Sequence, residues 1–292
     1  MAIERLQERI RKLKNPCILD FTGDISHIPP YLVQEERDFA HAYGRFCMEM
    51  LDGLEGQIAG VRFSFSQFAM QGELGLMLLA RLLDQAQTLV FYTILDLPEA
   101  LSAMAAQNMA QMMFGAENPW ISDGVLLSAY IGSDGLKPWI AQLQESGRDL
   151  FVVLRTANRS APELQDLLTG GRLMYMALAD QVSRLGAPLV GRGGYSHVAG
   201  VGAASSADCL RNLRTKYPGM FLLLDGADYS NANVKNCSFA FDSLGHGAAA
   251  CVGLSVIAAW QKEGNEGESF VEAACREVER IKKNFARYIT IL

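Results

Sequence analysis

The chain has 292 residues, half of them hydrophobic and a fifth charged, with 27 glycines and 9 prolines. This composition excludes disordered, collagen-like and low-complexity proteins. The formal charge of −6 gives no general basic field, so neither nucleic acid nor a membrane surface is an expected partner. The length fits one large core, because α/β barrels of roughly 250 residues are routinely single units.

The N-terminal segment MAIERLQERIRKLKNP alternates charges, and no apolar run in the chain approaches 18 residues. We therefore expect a cytoplasmic protein without a secretion signal. The six cysteines lie in apolar or helical surroundings, without a C-x-x-C pair or histidines at metal-ligand spacing. This pattern predicts reduced core thiols, and we expect neither a metal nor a cofactor.

Short apolar runs with β propensity alternate with longer segments of helical periodicity along the whole chain. Such alternation indicates a parallel sheet with crossover helices. The predicted helices include residues 74–86, 100–115 and 136–147. The eight predicted strands are residues 17–21, 58–65, 88–94, 124–130, 149–155, 198–203, 220–225 and 248–254.

The C-terminal segment GESFVEAACREVERIKKNFARY is typical of a long amphipathic helix. No linker rich in proline or serine divides the chain, so residues 1–292 are expected to form one domain. Eight strands alternating with helices favour a single (β/α)₈ TIM barrel over an open doubly wound sheet. The apolar stripe predicted for the last helix is Phe270, Ala274, Val278, Ile281 and Phe285.

The functional face of a (β/α)₈ barrel lies at the carboxyl ends of the strands. Arg62 alternates with Val61 and Phe63, which places it inside the barrel, where a charge must be paired. We expect one or more of Asp20, Asp225 and Asp228 to neutralise it. The residues predicted at strand ends are Asp20, Arg62, Thr93, Ser128, Arg155, Asn158, Asp225, Asp228, Gly253 and Leu254.

Four motifs appear in order as LRTANRSAPELQ, VGAA, LDGAD and CVGL. They resemble the L-x-R-T-S-N-P-G, V-G-A-T, P-G-x-G-A-Q-G-G and N-S-S-R motifs of orotidine 5'-phosphate decarboxylase, long-chain subfamily 2. The resemblance extends from residue 17 to about residue 260 and implies a TIM barrel. It also implies a carbon–carbon lyase of pyrimidine nucleotide biosynthesis that dimerises with its active-site ends facing each other.

The resemblance also implies which positions carry the family's chemistry. The family's second-strand lysine falls on Arg62, and we align its Asp-x-Lys-x-x-Asp motif with Thr93, Leu95 and Pro98. All three motif residues are replaced, which makes this a divergent form that lacks the motif. The other implied positions are Asp20 for the ribose acid, Asp228 for the loop glutamine, Leu254 for the phosphate arginine, Ala157 for the pyrimidine-binding serine, and the retained Arg155, Thr156 and Asn158.

Structural roles compete with ligand roles at several of these residues. Capping the turn that follows is as good an interpretation of Asp20 and Asp24 as a ligand role. Hydrogen bonds from Arg155, Thr156 and Asn158 are also suited to fixing the loop after the fifth strand. His197 and His246 are expected to be solvated or to brace loops. The ligand-binding candidates are Asp20, Arg62, Arg155, Thr156, Asn158, Asp225 and Asp228.

These replacements favour a homologue that is inactive as a decarboxylase and has a binding or partner role. It would act as a homodimer or with an enzyme subunit, and a nucleotide-like small molecule is a possible ligand. Two alternatives stay open at this point. One is an enzyme with altered chemistry on another small molecule at the barrel mouth, and the other is a still-active decarboxylase.

Overall fold

The computed structural model describes residues 2–22, 25–262 and 267–292. Eight parallel strands close into a barrel, because β1 pairs with β8 as well as with β2. This arrangement confirms the predicted (β/α)₈ barrel. The barrel strands are β1 (Cys17–Asp20), β2 (Gly60–Ser64), β3 (Tyr92–Asp96), β4 (Gly124–Ser128), β5 (Asp149–Val153), β6 (Val198–Ala203), β7 (Leu222–Asp225) and β8 (Ala248–Val252).

Helices surround the barrel, and α1 precedes the first strand. A short antiparallel hairpin, Leu168–Thr169 with Arg172–Leu173, lies between β5 and β6 and was not predicted. The helices are α1 (Ala2–Leu13), α2 (Pro30–Glu35), α3 (Phe39–Gly53), α4 (Phe65–Ala69), α5 (Gly72–Thr88), α6 (Ala103–Phe114), α7 (Ser133–Ser146), α8 (Met174–Gly186), α9 (Ala207–Lys216), α10 (Asn231–Cys237), α11 (Leu254–Ile257) and α12 (Phe270–Phe285).

The helix ends and faces follow from the sequence. Ser102, Ser206 and Ser230 each accept a hydrogen bond from a backbone N–H of the first helical turn, at the starts of α6, α9 and α10. The predicted long C-terminal helix is present as α12, and all five residues of its predicted apolar stripe are at most 2% exposed. No helix among the described residues is long and apolar enough to cross a membrane.

The third strand lies further along the chain than the sequence predicts. Helix α5 continues to Thr88, and Val90 adopts a left-handed conformation with φ of 63° in the turn that follows. The apolar residues from 88 to 91 therefore belong to the helix end and the turn. As a result, β3 ends at Asp96 rather than at Ile94.

A buried polar cluster lies within the barrel, near the amino-terminal ends of the strands. The Asp149 carboxylate accepts a hydrogen bond from the Tyr92 hydroxyl at 2.5 Å and lies 2.5 Å from Nδ1 of His197. Asp149 and His197 are almost fully buried. The prediction that His197 is solvated or braces a loop is therefore wrong, because the β5–β6 pairing places it beside Asp149. Burial raises the pKa of Asp149 to about 6.

We predict that Asp149→Asn changes how stability depends on pH. A carboxyl group whose pKa is raised in the folded state stabilises the fold most at low pH, and that contribution is lost as pH rises from about 4 toward 6. Asparagine has no such contribution, so the variant's deficit in unfolding free energy should be larger at pH 4.5 than at pH 7. Urea unfolding at both pH values measures it.

The control for this prediction is Asp84→Asn, because Asp84 is exposed on α5. Its effect on the unfolding free energy should be small and equal at the two pH values. A deficit for Asp149→Asn that does not change between pH 4.5 and pH 7 would contradict the raised pKa.

Candidate functional site at the barrel mouth

Four charged side chains meet inside the carboxyl end of the barrel. We call Arg62, Asp20, Asp96 and Asp225 the mouth cluster. Nη1 of Arg62 lies 3.3 Å from Asp20 Oδ2 and 3.0 Å from Asp225 Oδ1, while Nη2 lies 2.7 Å from Asp96 Oδ2. One guanidinium thus contacts three carboxylates from three different strands.

The strand pattern explains why Arg62 points inward. Its neighbours Val61 and Phe63 are fully buried on the opposite face of β2, where Phe63 stacks on Phe21 with ring centroids 5.0 Å apart. Asp20 lies directly across from Arg62 in the β1–β2 register. The expectation that one or more of Asp20, Asp225 and Asp228 neutralise Arg62 is confirmed for Asp20 and Asp225.

The cluster is buried enough for its charges to influence one another strongly. Burial lowers the pKa of Arg62, but the surrounding carboxylates raise it, and the net direction is well upward. Burial raises the pKa of Asp96 and of Asp225, and the charge of Asp20 adds to this rise against the opposing effect of Arg62. Arg62 therefore remains charged, and the three acids are more numerous than their one cation.

Asp96 is a member of the cluster that the sequence reasoning missed. It was overlooked because the third strand was expected to end at Ile94. With β3 ending at Asp96, the Asp96 side chain follows the inward alternation and reaches Arg62. The signal that would have found it is an acid within a few residues of an apolar run, the same signal that identified Asp20.

The structure corrects the expectation that Thr93 lies at a strand end on the mouth. Thr93 is fully buried near the start of β3, where its hydroxyl donates to Asp123 Oδ2 at 3.1 Å. Leu95 is also fully buried, and alternation places both side chains on the face opposite Asp96. Pro98 lies beyond the strand in the exposed loop. Thr93 and Leu95 therefore cannot contact a ligand at the mouth.

Asp228 does not join the mouth cluster, contrary to one of the expected pairings. Its Oδ2 atom accepts hydrogen bonds from the backbone N–H groups of Gly253 and Ser255, each at 3.0 Å, and from the Ser255 hydroxyl at 2.7 Å. It therefore connects the loop after β7 with the loop after β8. These N–H groups are the ones that an anion would need at this position.

The run from Arg155 to Asn158 after β5 fixes its own loop. Arg155 forms a bidentate ion pair with Asp166, in which Nε and Nη2 each donate to one carboxylate oxygen at 2.8 Å. The Thr156 N–H donates to Gln165 Oε1 at 2.8 Å, and the Thr156 hydroxyl donates to Asn158. These contacts support the loop-fixing interpretation of Arg155, Thr156 and Asn158 over direct ligand binding.

Asp20 serves two partners, because its Oδ1 atom accepts from the Thr22 N–H at 2.9 Å while Oδ2 faces Arg62. It is therefore both a turn-stabilising residue and a cluster member. Asp24, the other acid considered there, lies outside the described residues.

Asp20, Asp225 and Cys251 also satisfy the spacing of a metal site, since one ligand atom from each lies within 4.8 Å of the others. Two features oppose metal binding here. The guanidinium of Arg62 already contacts both carboxylates, and burial raises the pKa of the Cys251 thiol well above its usual value. A protonated thiol beside a fixed cation is a poor ligand set.

A cavity of about 300 Å³ opens above the cluster. Its walls include Asp20, Asp228, Cys251, the exposed ring of Tyr229 and the side chain of Leu254. This volume lies at the lower end of the range for small-molecule sites. The walls combine carboxylates with one aromatic and one aliphatic surface.

The barrel resembles solved decarboxylases along almost its whole length. A putative orotidine-monophosphate-decarboxylase from Toxoplasma gondii superposes with a TM-score of 0.75 at 19% identity, covering 98% of each chain. A second putative orotidine-monophosphate-decarboxylase, from Plasmodium yoelii, gives a TM-score of 0.77 at 14% identity, over 97% of this chain and all of that one. At these identities the likeness establishes the fold.

Sequence comparison adds the relationship. The orotidine 5'-phosphate decarboxylase of Clostridium novyi is 24% identical over 288 residues, covering 98% of this chain and 99% of the relative. That of Rhodopirellula baltica is 27% identical over 237 residues, covering 79% and 78%. The chain is homologous to the orotidine 5'-phosphate decarboxylases. No protein-family model matches it.

We predict that Arg62→Ala destabilises the protein by roughly 3 to 5 kcal/mol, because three partly buried carboxylates lose the cation that they share. The penalty should shrink as pH falls toward 4, since protonation removes the carboxylates' repulsion. Urea unfolding at pH 7 and pH 4.5 measures both effects.

The matched control removes the acids together with the arginine and replaces the four residues by neutral ones of similar size. This variant should lose much less stability than Arg62→Ala alone, because no buried charge is left unpaired. An Arg62→Ala protein as stable as the parent at pH 7 would show that the cluster does not hold the mouth together. The changes in the control are Arg62→Met, Asp20→Asn, Asp96→Asn and Asp225→Asn.

Proposed function

We propose that this chain is a homologue of orotidine 5'-phosphate decarboxylase that does not decarboxylate orotidine 5'-phosphate and acts instead as a binding or partner protein. The observation that carries this proposal is the state of Arg62. It occupies the position that the resemblance assigns to the second-strand lysine, and it is held between three carboxylates.

The chemistry of the reaction explains why this matters. Loss of carbon dioxide leaves a developing carbanion at C6 of the pyrimidine, which needs a nearby cation and then a proton. A lysine ammonium supplies both. Arg62 cannot take over this role, because a guanidinium keeps its proton at any ordinary pH and the three carboxylates raise the pKa of Arg62 further.

The third strand supports the same conclusion in a corrected register. With Asp96 at the mouth, the spacing of the Asp-x-Lys-x-x-Asp motif assigns Asp96, Pro98 and Leu101 to its three positions. In this alignment the first acid is retained, whereas proline and leucine replace the lysine and the second acid. Neither side chain carries a proton to donate.

We predict no release of carbon dioxide from orotidine 5'-phosphate above background. The protein should be prepared from a host that lacks its own decarboxylase, and the Clostridium novyi relative, purified in the same way, is the positive control. Turnover by this chain that exceeds the mock preparation would contradict the proposal and favour a still-active enzyme.

The partner in this proposal is a second copy of the chain, docked mouth to mouth. Large apolar side chains stand exposed in the segments that follow five of the barrel strands. Met70 and Leu101 are 79% exposed and Leu168 is 75% exposed. Apolar surface concentrated at one end of a molecule is typical of an interface. The exposed set is Met70, Leu101, Met104, Tyr130, Leu164, Leu167, Leu168 and Tyr229.

We predict that the chain is a dimer in solution and that Leu101→Asp shifts it toward monomer, because a carboxylate would be buried at the interface. Light scattering across a concentration series measures the shift. Val90→Asp is the control, since Val90 is 52% exposed but precedes β3 at the opposite end of the barrel. A monomeric parent, or equal dimerisation of Leu101→Asp and the parent, would contradict the mouth-to-mouth arrangement.

A further inference from the structure

The loops after β7 and β8 are joined by one carboxylate. Asp228 lies in the short 3₁₀ turn Ala227–Tyr229 after β7, and its three hydrogen-bond donors come from Gly253 and Ser255 after β8. In (β/α)₈ barrels the loops after strands 7 and 8, together with the start of a short extra helix, frequently form a phosphate site. Helix α11 is such a short helix.

The backbone holds Asp228 in place. Gly226 has φ of 70°, and a Cβ atom there would lie 2.8 Å from the Tyr229 ring, so the turn requires glycine. Asn233 donates to the Gly226 carbonyl at 2.8 Å and fixes the turn from behind. Across the contact, a Cβ atom on Gly253 would lie 3.0 Å from the Asp20 carbonyl, so this side also allows little movement.

The hydrogen-bond donors that a phosphate group would need here, from Gly253 and Ser255, already donate to Asp228. To bind, the phosphate group would have to displace a carboxylate that is tethered to the same chain, and tethering gives that carboxylate a high effective concentration. It would also approach the Asp20 carboxylate, which lines the same cavity. Both effects oppose an anion and neither opposes a neutral or cationic ligand.

We propose that Asp228 is an internal anion that closes this position and restricts the barrel mouth to ligands without a phosphate group. This inference rests on the proposed function and deepens it, because a mouth closed to phosphate is also closed to orotidine 5'-phosphate. It makes Asp228 a specificity-determining residue, and it names the ligand class as neutral or cationic small molecules.

The test compares Leu254→Arg with the double variant Leu254→Arg, Asp228→Gln. Both carry the arginine that the resemblance assigns to residue 254, and only the double variant lacks the Asp228 carboxylate. The probes are uridine 5'-monophosphate and uridine, which differ only in the phosphate, and calorimetry or thermal shift gives the affinities. We expect the double variant to bind the nucleotide at least about tenfold more tightly than Leu254→Arg, the scale of one hydrogen bond to a charged group, with no such gain for uridine.

Equal nucleotide affinity in the two variants would overturn the inference, and so would the absence of a response in both. A parent protein that binds the nucleotide more tightly than uridine would overturn it as well. If the double variant does not fold, the double variant that combines Leu254→Arg with Asp228→Asn replaces it, because asparagine keeps the size of the aspartate side chain and removes its charge. Asp228→Glu in the Leu254→Arg background keeps the charge and should bind the nucleotide no more tightly than Leu254→Arg does.

The outcomes separate this inference from the proposed function. The binding series needs no turnover, whereas the carbon dioxide assay uses the unchanged protein. If the parent releases no carbon dioxide but Leu254→Arg binds the nucleotide as well as the double variant does, only the role of Asp228 is wrong. Turnover by the parent would show that the proposed function itself is wrong.

Discussion

The contact of one guanidinium with three carboxylates organises the mouth of this barrel. The four residues of the mouth cluster come from four strands, β1, β2, β3 and β7. Of these, only β2 pairs directly with β1, so the cluster links strands that are not adjacent in the sheet. A lysine at position 62 would place a point charge there, able to face one carboxylate and to release a proton. Arginine has a planar fork that spans several acceptors and keeps its proton. Arg62 therefore acts as a structural cation at the barrel mouth.

The alternation of side chains between the two faces of a strand was enough to predict most of this cluster. Arg62 between two apolar neighbours, and acids at the ends of the first and seventh apolar runs, led to the contacts with Asp20 and Asp225. Asp96 was missed because the run from residue 88 to 94 is apolar and β-branched, and periodicity alone cannot separate the end of a helix from the start of a strand. The turn at Val90, with its positive φ, carries no clear signature in the residue itself. The misplaced strand end also explains why the motif alignment proposed from the structure differs by three positions from the one expected from the sequence.

Contacts between segments that are distant in the chain could not be predicted from the sequence for a different reason. Asp228 was expected to pair with Arg62 because both were predicted at strand ends, but the glycine-dependent turn at Gly226 directs Asp228 to the loop after β8 instead. Asp149 and His197 are far apart in the chain and meet only because β5 and β6 are neighbours. No motif relates the two residues. The closed barrel topology therefore followed from the pattern of elements, whereas the choice of partner for each polar side chain depended on local turns.

The mouth is a polar network in which most hydrogen-bonding groups already have partners. Both Nη atoms of Arg62 already contact carboxylates, and the backbone N–H groups of Gly253 and Ser255 already donate to Asp228. An anionic ligand would have to compete with these carboxylates for the same donors. The accessible groups are the remaining lone pairs of the carboxylates, the Tyr229 ring and the Leu254 side chain. Tyr229 is 68% exposed and Leu254 is 46% exposed. Carboxylates and an aromatic face both attract positive charge, and an aliphatic surface tolerates neutral groups. On the proposal that this mouth binds a small molecule, its accessible groups favour a neutral or cationic ligand over an anion.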